Sequence, residues 1–267
     1  MIGRLGLFGL AMMAATPALA QADEPRFCPN RPSIGSSACV TEPGRVQAEM
    51  SGIDWTRDDS ADSREDTILS GDLLVRIGLG ITTEAEIGWT GFGHARTRDK
   101  TTGAIDTVNG VGDVRLALRQ NLANPDGKGL SYGIEPFVTL PVGRDPIGQG
   151  DWGTGVIVPV TYDLSDTVNL ALTSEVDAMP DQDAHGRHLA YSEIVGLGYA
   201  LSKQWSVVGE LSVARDDDPA DRHTEAVAAG SFAWQPRNGL QFDLLGAVGL
   251  NHAAPDVRLV TGGAILF

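Results

Sequence analysis

The C-terminal stretch Val257–Phe267 constrains the fold more than any other part of the sequence. Its alternate side chains are apolar or small, and the series ends on the aromatic ring of Phe267. Alternation with period two places such side chains on one face of a β-strand. A free apolar strand edge promotes aggregation, whereas a closed barrel pairs its last strand with its first. The stretch therefore favours a transmembrane barrel, with an ordinary buried C-terminal strand as the alternative.

The N-terminus has the features of a secretory signal peptide. Arg4 precedes an uncharged stretch from Leu5 to Ala15, and Thr16-Pro-Ala-Leu-Ala20 supplies a small-residue cleavage site. Removing residues 1–20 takes away Arg4 and changes the net charge from −15 to −16. No later apolar run approaches the ~20 residues that a membrane helix needs. We therefore expect a chain that is secreted, periplasmic, or inserted as strands in the bacterial outer membrane.

From residue 44 onwards, strand-length segments of alternating polarity are separated by turn-forming residues. Each segment has the ~9–11 residues that a tilted strand needs to cross a bilayer. The predicted strands cover about 45–57, 68–80, 83–93, 111–122, 130–141, 152–163, 168–179, 188–200, 204–215, 223–234, 240–251 and 257–267. Tight turns alternate with longer polar loops, including one at 94–110. The pattern predicts an all-β, antiparallel up-and-down barrel of about 12 strands over residues 44–267, with both termini periplasmic.

Aromatic residues fall into two groups at opposite ends of these strands, as in the girdles at membrane interfaces. The loop-side group is Trp55, Trp89, Phe92, Trp152 and Tyr191, and the turn-side group is Tyr162, Tyr199, Trp205, Trp234, Phe242 and Phe267. Glu193 interrupts the apolar face of its strand. Either that strand end lies above the lipid or the alternation shifts phase there.

Residues 21–43 form a polar periplasmic segment that contains Cys28 and Cys39. An oxidising compartment favours a disulfide between them, with free thiols or metal ligands as the alternatives. The segment is expected either to fold into the barrel mouth as a plug or to extend from it as a tether.

Charged residues at inward positions are mostly acidic. The predicted lumen-lining residues are Glu49, Asp72, Arg76, Glu84, Glu86, Asp113, Arg115, Arg119, Glu135, Glu175, Asp177, Glu210 and Asp243. Eight strands give a filled interior and sixteen an open channel, so twelve predict a narrow or partly plugged lumen. Such a lumen would favour cations or neutral solutes over anions. The alternative is that these charges only solvate and stiffen the interior.

Several other kinds of function lack support in the sequence. The strong acidity argues against nucleic-acid binding, which requires positive charge along the phosphate path. The G-x-G pairs at 78–80 and 196–198 lack the helix of a dinucleotide fingerprint. His185 and His188 form an H-x-x-H pair without an evident third ligand, so no metal site is expected. No Ser–His spacing supports a membrane-edge lipid hydrolase. We therefore expect no catalytic residues, no cofactor and no enzyme activity.

Five short stretches, in order along the chain, carry a family resemblance. They are Arg31-Pro32 with the flanking cysteines, Thr41–Glu49, Gly112–Val114, Thr139–Gly143 and Asn251–Asp256. Together they resemble the outer-membrane family described as "Putative MetA-pathway of phenol degradation", which is related to functional-amyloid secretion channels. The resemblance implies a twelve-stranded barrel with a transport role and supplies no catalytic residues. Phe267 likewise resembles the C-terminal assembly signal of bacterial outer-membrane barrels.

The function expected from this pattern is a channel for small solutes, including aromatic or hydrophobic ones, with a narrow acidic lumen. A secretion pore or a plugged structural barrel is the alternative, and a membrane-edge hydrolase is a third. The expected partners are outer-membrane lipid and lipopolysaccharide, the barrel-assembly machinery, the solute itself and further copies of the chain.

Overall fold

A computed structural model describes residues 24–183 and 185–267. The predicted signal peptide, residues 1–20, lies outside the described residues. In the part that is described, no helix is both long and apolar enough to cross a membrane.

Within the described residues, thirteen β-strands form one antiparallel sheet, and twelve of them close into a barrel. The strands are β1 (Val46–Asp59), β2 (Ser63–Gly78), β3 (Thr83–Asp99), β4 (Ile105–Gly110), β5 (Val114–Ala123), β6 (Leu130–Leu140), β7 (Gly153–Asp163), β8 (Val168–Pro180), β9 (Arg187–Ala200), β10 (Trp205–Asp217), β11 (Arg222–Arg237), β12 (Leu240–Gly249) and β13 (Val257–Leu266). Closure comes from the pairing of β1 with β13, from Gln47 opposite Leu266 to Arg57 opposite Val257. The sequence-based prediction of a twelve-stranded barrel is thereby confirmed.

The extra strand, β4, is the main difference from the predicted strand pattern. Residues 94–110 were expected to be a loop, but β3 continues to Asp99 and pairs with β4 over Gly93–Arg98. β2 likewise begins at Ser63, five residues before the predicted start. Backbone pairing continues through these polar residues after the apolar alternation has ended, and the alternation was the basis of the prediction.

The strands present an apolar outer face and a polar inner face. The exposed outer side chains include Met50, Ile87, Leu118, Ile134, Val176, Leu211, Leu244 and Leu259. At the end of the barrel with the tight turns, here called the turn end, Trp205 stacks on Phe232 and Trp234 with ring centroids 4.8 Å and 5.5 Å apart. An apolar exterior with aromatic rings near its edge is the surface that a bilayer requires.

Glu193 lies on this outer face, between exposed Tyr191 and Val195. The alternation of β9 does not shift phase there, which excludes one of the two expectations. Its carboxylate accepts a hydrogen bond from Ser174 Oγ on β8 at 2.5 Å. The neighbouring hydroxyl thus gives the outward carboxylate a hydrogen-bond partner.

Candidate functional site: the occupied bore

The bore of the barrel is crossed by residues 24–43, here called the plug. The plug bonds to inward side chains of seven strands that lie on different sides of the ring. These partners are Gln47, Glu49 and Ser51 on β1, Arg76 on β2, Glu84 on β3, Arg119 and Asn121 on β5, Thr173 on β8, Glu210 on β10, and Gln241 and Asp243 on β12. The structure therefore places the described part of this segment inside the barrel, as in the plug alternative.

Two inward carboxylates each hold a pair of neighbouring donors in the plug. Glu49 accepts from the backbone N–H of Asn30 at 3.2 Å and of Arg31 at 3.1 Å. Across the bore, Glu210 accepts from the Ser33 hydroxyl and from the Ile34 N–H, the latter at 3.0 Å. Both carboxylates are almost fully buried. They satisfy donors on a segment that has no strand partner of its own.

Arg76 fixes the two ends of the disulfide loop. Its guanidinium donates to the carbonyl oxygen of Cys28 and, at 2.7 Å, to that of Cys39. The disulfide between these cysteines is present, as predicted. One buried side chain of the barrel wall thus binds the backbone of both cysteines and attaches the disulfide loop to the wall.

The charges around this loop form a paired cluster in the turn-end half of the bore, here called the turn-end cluster. It consists of Glu49, Glu84, Glu86, Glu135, Arg76, Arg115 and Arg119. Arg76 Nη2 lies 2.6 Å from Glu84 Oε1, and Arg119 Nη2 lies 2.6 Å from Glu135 Oε2. Arg76 and Arg119 are both fully buried. Buried charges are tolerated when they are paired and hydrogen-bonded. Glu86 meets only the first condition: it lies 3.0 Å from Arg119 Nη2, but neither of its carboxylate oxygens accepts a hydrogen bond from the described residues.

Arg31 is the plug's own contribution to charge pairing. Its Nη2 lies 2.7 Å from Asp243 Oδ1, and its Nη1 donates to Ser51 Oγ at 2.7 Å. The bond from Nε to the same carboxylate makes the pair bidentate. Asp243 is therefore neutralised by the plug and not by another residue of the wall.

An apolar patch on the inner face lies beside the plug. Buried Leu245, Ala247 and Val260 pack with the plug residue Ile34. A recess of about 210 Å³ adjoins it, with Ile34, Ile194, Ser212, Glu225, Val227, Ala247 and Arg258 among its lining residues. This patch was not predicted from the sequence. The available signal was inward parity, because Leu245 and Ala247 lie on the same face of β12 as Gln241 and Asp243.

Six of the predicted lumen-lining residues lie outside the turn-end cluster: Glu210 and Asp243, which bind the plug, and four others. Asp72 accepts from Thr90 Oγ1 at 2.9 Å and borders a second recess beside Arg31. Glu175 and Asp177 lie nearer the opposite end, along a recess that also contains Glu225. Asp113 accepts from the backbone N–H of Val142, Gly143 and Gln149, so it holds a loop in place.

The end of the barrel with the longer loops, here called the loop end, has a wide acidic recess. This vestibule has a volume of about 660 Å³, and its lining includes Asp145, Asp151, Asp181, His188, Asp216 and Asp218. Asp151 Oδ1 accepts from the Trp152 N–H at 2.7 Å, and its Oδ2 lies 3.1 Å from Arg187 Nη2. These contacts, the backbone hydrogen bond first, hold the pKa of Asp151 below its usual value.

A family model described as "Putative MetA-pathway of phenol degradation" matches residues 29–266. The chain belongs to this family. No curated protein matches the sequence.

Solved structures show similarity at the level of the fold. The translocator domain of autotransporter NalP from Neisseria meningitidis aligns with a TM-score of 0.52 and 13% identity, over 85% of this chain and 90% of its own. The transport unit of the autotransporter AIDA-I from Escherichia coli aligns with a TM-score of 0.52 and 7% identity, over 83% and 89%. The KdgM porin aligns at 0.46 with 11% identity, over 80% and 98%. The two autotransporter domains, each with a TM-score of 0.52, show that the family member described here has the fold of a membrane barrel.

Proposed function

We propose that this family member is an outer-membrane channel for small solutes whose bore is restricted by the plug. Both termini would lie in the periplasm, and lipid with lipopolysaccharide would surround the barrel. The observation that carries the proposal is the plug itself, which is bonded to inward residues of seven strands in a barrel with an apolar exterior. A barrel whose bore is narrowed by an internal segment passes only solutes that fit beside the plug or displace it.

The charge of the bore supports a preference for cations and neutral solutes. In the turn-end cluster four Glu face three Arg, and towards the loop end Glu175, Asp177 and Glu225 add further carboxylates. Lumen charge of one sign attracts ions of the opposite sign and repels those of its own. Anions would therefore be disfavoured.

The apolar recess beside Ile34 supports aromatic or hydrophobic solutes. Its volume of about 210 Å³ exceeds that of an apolar cavity known to bind benzene, roughly 150 Å³. Arg258 and Glu225 at its margin would orient a polar substituent. The family description, which refers to phenol degradation, agrees with such a solute.

The test is single-channel recording in planar bilayers on the full-length mature protein and on a variant without residues 24–43. We expect a small conductance from the intact protein, and a larger one that prefers K⁺ over Cl⁻ from the variant. Arg31→Gln in the full-length chain should increase conductance partially, because Asp243 loses its partner in the plug. The proposal would be refuted if neither the intact protein nor the deletion variant conducts ions. It would also be refuted if the deletion variant prefers Cl⁻ over K⁺.

The matched control is Arg26→Ala. Arg26 also belongs to the plug, but its side chain bonds to Ile81 O and pairs with Glu42 near the turn end. Its replacement should leave the conductance unchanged. Selectivity for aromatic solutes is tested by comparing benzyltrimethylammonium with tetramethylammonium, since neither cation crosses lipid unaided. Filling the recess with Val227→Phe should reduce the permeability of the benzyl compound selectively.

A plugged structural barrel is the second candidate, and the extent of buried contacts between plug and wall favours it. The deletion variant separates the two candidates. A structural role predicts that it loses stability without gaining conductance, whereas a channel predicts that the bore opens.

A further inference from the structure

Three side chains from two different loops meet in the vestibule with metal-binding atoms facing one another. They are Asp181, which follows β8, His188 near the start of β9, and Asp218, which follows β10. His188 Nδ1 lies 2.9 Å from Asp181 Oδ1 and 3.5 Å from Asp218 Oδ2. With metal–ligand bonds of about 2.0–2.2 Å, neighbouring donor atoms lie roughly 3–3.5 Å apart. Both distances from His188 Nδ1 are close to that range, although the shorter one is also a hydrogen-bond distance, and all three donor atoms lie within 4.8 Å of one another.

The histidine itself indicates that a cation belongs there. The side chain of His188 is only 6% exposed, and its Nε2 is buried 3.0 Å from Asp216 Oδ1 without a well-directed hydrogen bond. If Nε2 carries the proton and faces Asp216, the Nδ1 lone pair faces two carboxylates. That arrangement is repulsive unless a proton or a metal ion lies between them.

The surrounding charges do not balance. Three carboxylates, those of Asp181, Asp216 and Asp218, surround one imidazole. Among residues 24–183 and 185–267, no Lys or Arg lies within ion-pairing distance of any of the three. Even a protonated His188 leaves an excess of negative charge in a half-buried site. A divalent cation would supply the missing charge.

Backbone contacts already position the ligand set. Asp218 Oδ2 accepts from the Gln182 N–H at 2.8 Å, and Oδ1 of the same carboxylate accepts from the Ala220 N–H at 2.7 Å. Asp216 stands behind the imidazole, as the outer carboxylate does in carboxylate–histidine–metal arrangements. This architecture orients the ligands before any ion binds.

We propose that Asp181, His188 and Asp218 form a binding site for a divalent transition-metal ion of the Zn²⁺ class. One imidazole and two carboxylates suit Zn²⁺ and its neighbours, whereas Ca²⁺ prefers oxygen ligands alone. The ion joins the 181–186 and 218–221 connections across the mouth of the barrel. Three protein ligands leave a fourth position open to water or to a donor group from outside.

The test is calorimetric titration of the folded, detergent-solubilised protein with Zn²⁺ alone, at neutral pH. We expect one tight site per chain. His188→Asn should weaken the affinity by about 100-fold or more, and Asp216→Asn by about 10-fold, the effect of losing an outer-shell partner. His185→Asn is the matched control, because exposed His185 bonds to Asp183 of its own loop. The Zn²⁺ affinity of the His185→Asn variant should equal that of the unchanged protein.

A second measurement does not depend on the variants folding. In the intact protein, addition of Zn²⁺ should shift the ¹⁵N resonance of His188 Nδ1 while Nε2 keeps its proton. Wild-type protein that takes up no Zn²⁺, equal affinity in His188→Asn, or an imidazolium signal unaffected by Zn²⁺ would each overturn the proposal. In the last case the cluster holds only a proton.

Discussion

The turn-end cluster and the vestibule contain the same kinds of charged side chain, but the charges are compensated differently. In the turn-end cluster, every Glu lies within ion-pairing distance of a buried or half-buried Arg. In the vestibule, Asp181, Asp216 and Asp218 share a single imidazole. The turn-end cluster compensates all but one of its negative charges with its own Arg residues. The three vestibule carboxylates have only the His188 imidazole beside them, so most of their negative charge is left uncompensated.

The difference shows how one barrel can use acidic residues for two purposes. At the turn end, desolvated carboxylates have Arg partners and bind the plug, so they act structurally. At the loop end, carboxylates face a wide recess and are available to ions. Net lumen charge by itself would not distinguish these roles.

Arg119→Met should have the largest effect on stability. The substitution removes the guanidinium that pairs with the buried carboxylates of Glu86 and Glu135. Breaking a buried ion pair in this way typically lowers the free energy of unfolding by about 3–5 kcal/mol. Urea-induced unfolding in liposomes, followed by tryptophan fluorescence, measures the change. Arg215→Met is the control, because Arg215 pairs with Asp217 at a partly exposed site and should change stability little. An unchanged midpoint for Arg119→Met would mean that water or protons reach the cluster.

Replacing both cysteines, Cys28→Ser with Cys39→Ser, should loosen the plug but leave the barrel intact. A loop of this length is stabilised by a disulfide by roughly 2–3 kcal/mol in the chain-entropy account. We expect faster amide exchange over residues 24–43 and unchanged exchange in β8 and β9, measured by mass spectrometry. Equal protection from amide exchange in both proteins would mean that Arg76 and Arg31 hold the plug in place without the disulfide.

Neutralising Glu175 and Asp177, which have no ion-pair partner among residues 24–183 and 185–267, should reduce cation selectivity. Glu175→Gln with Asp177→Asn removes charge that faces the bore, whereas Asp166→Asn changes a turn-end residue outside it. Reversal potentials in a KCl gradient, recorded on the plug-deleted protein, compare them. We expect a lower K⁺ preference for the first variant only. An equal loss of K⁺ preference in both variants would mean that selectivity depends on the overall surface charge.

The smallest expected effect concerns Asp151. Its pKa lies below the usual 3.8, first because the Trp152 N–H donates to it and then because of Arg187. The folded-state pKa is therefore the lower one. The interaction stabilises the loop above about pH 3.8 and is lost as the pH falls through the lower folded-state value. In Arg187→Met, carbon NMR titration should show the Asp151 pKa partly restored towards 3.8. An unchanged Asp151 pKa in this variant would mean that the hydrogen bond from the Trp152 N–H causes the whole shift.

Prediction from sequence succeeded where the signal was local. Alternation along each strand specifies which face a residue occupies, so the ring of twelve strands and the inward parity of Glu49 or Glu210 could be predicted. β4 could not, because its pairing with β3 continues through polar residues where no apolar period exists.

The site was harder to predict because its contacts are long-range. Ser33 meets Glu210 and Arg31 meets Asp243, and each pair is separated by well over a hundred residues. The third ligand beside His188 is Asp218, which comes from a different loop. Sequence spacing carries no information about such pairs unless the order and tilt of the strands are known.

The barrel and its polar interior follow from the residues alone, because side-chain periodicity and turn chemistry act between neighbouring residues. For Cys28 and Cys39 the sequence left three possibilities open, and the structure shows the disulfide. The position of the plug in the bore, and the pairing of each carboxylate with Arg or with His188, depend on the tertiary structure. Ring closure brings side chains from distant strands within a few ångströms of one another. At that range, burial and charge pairing decide whether a carboxylate holds the protein together or is available to bind an ion.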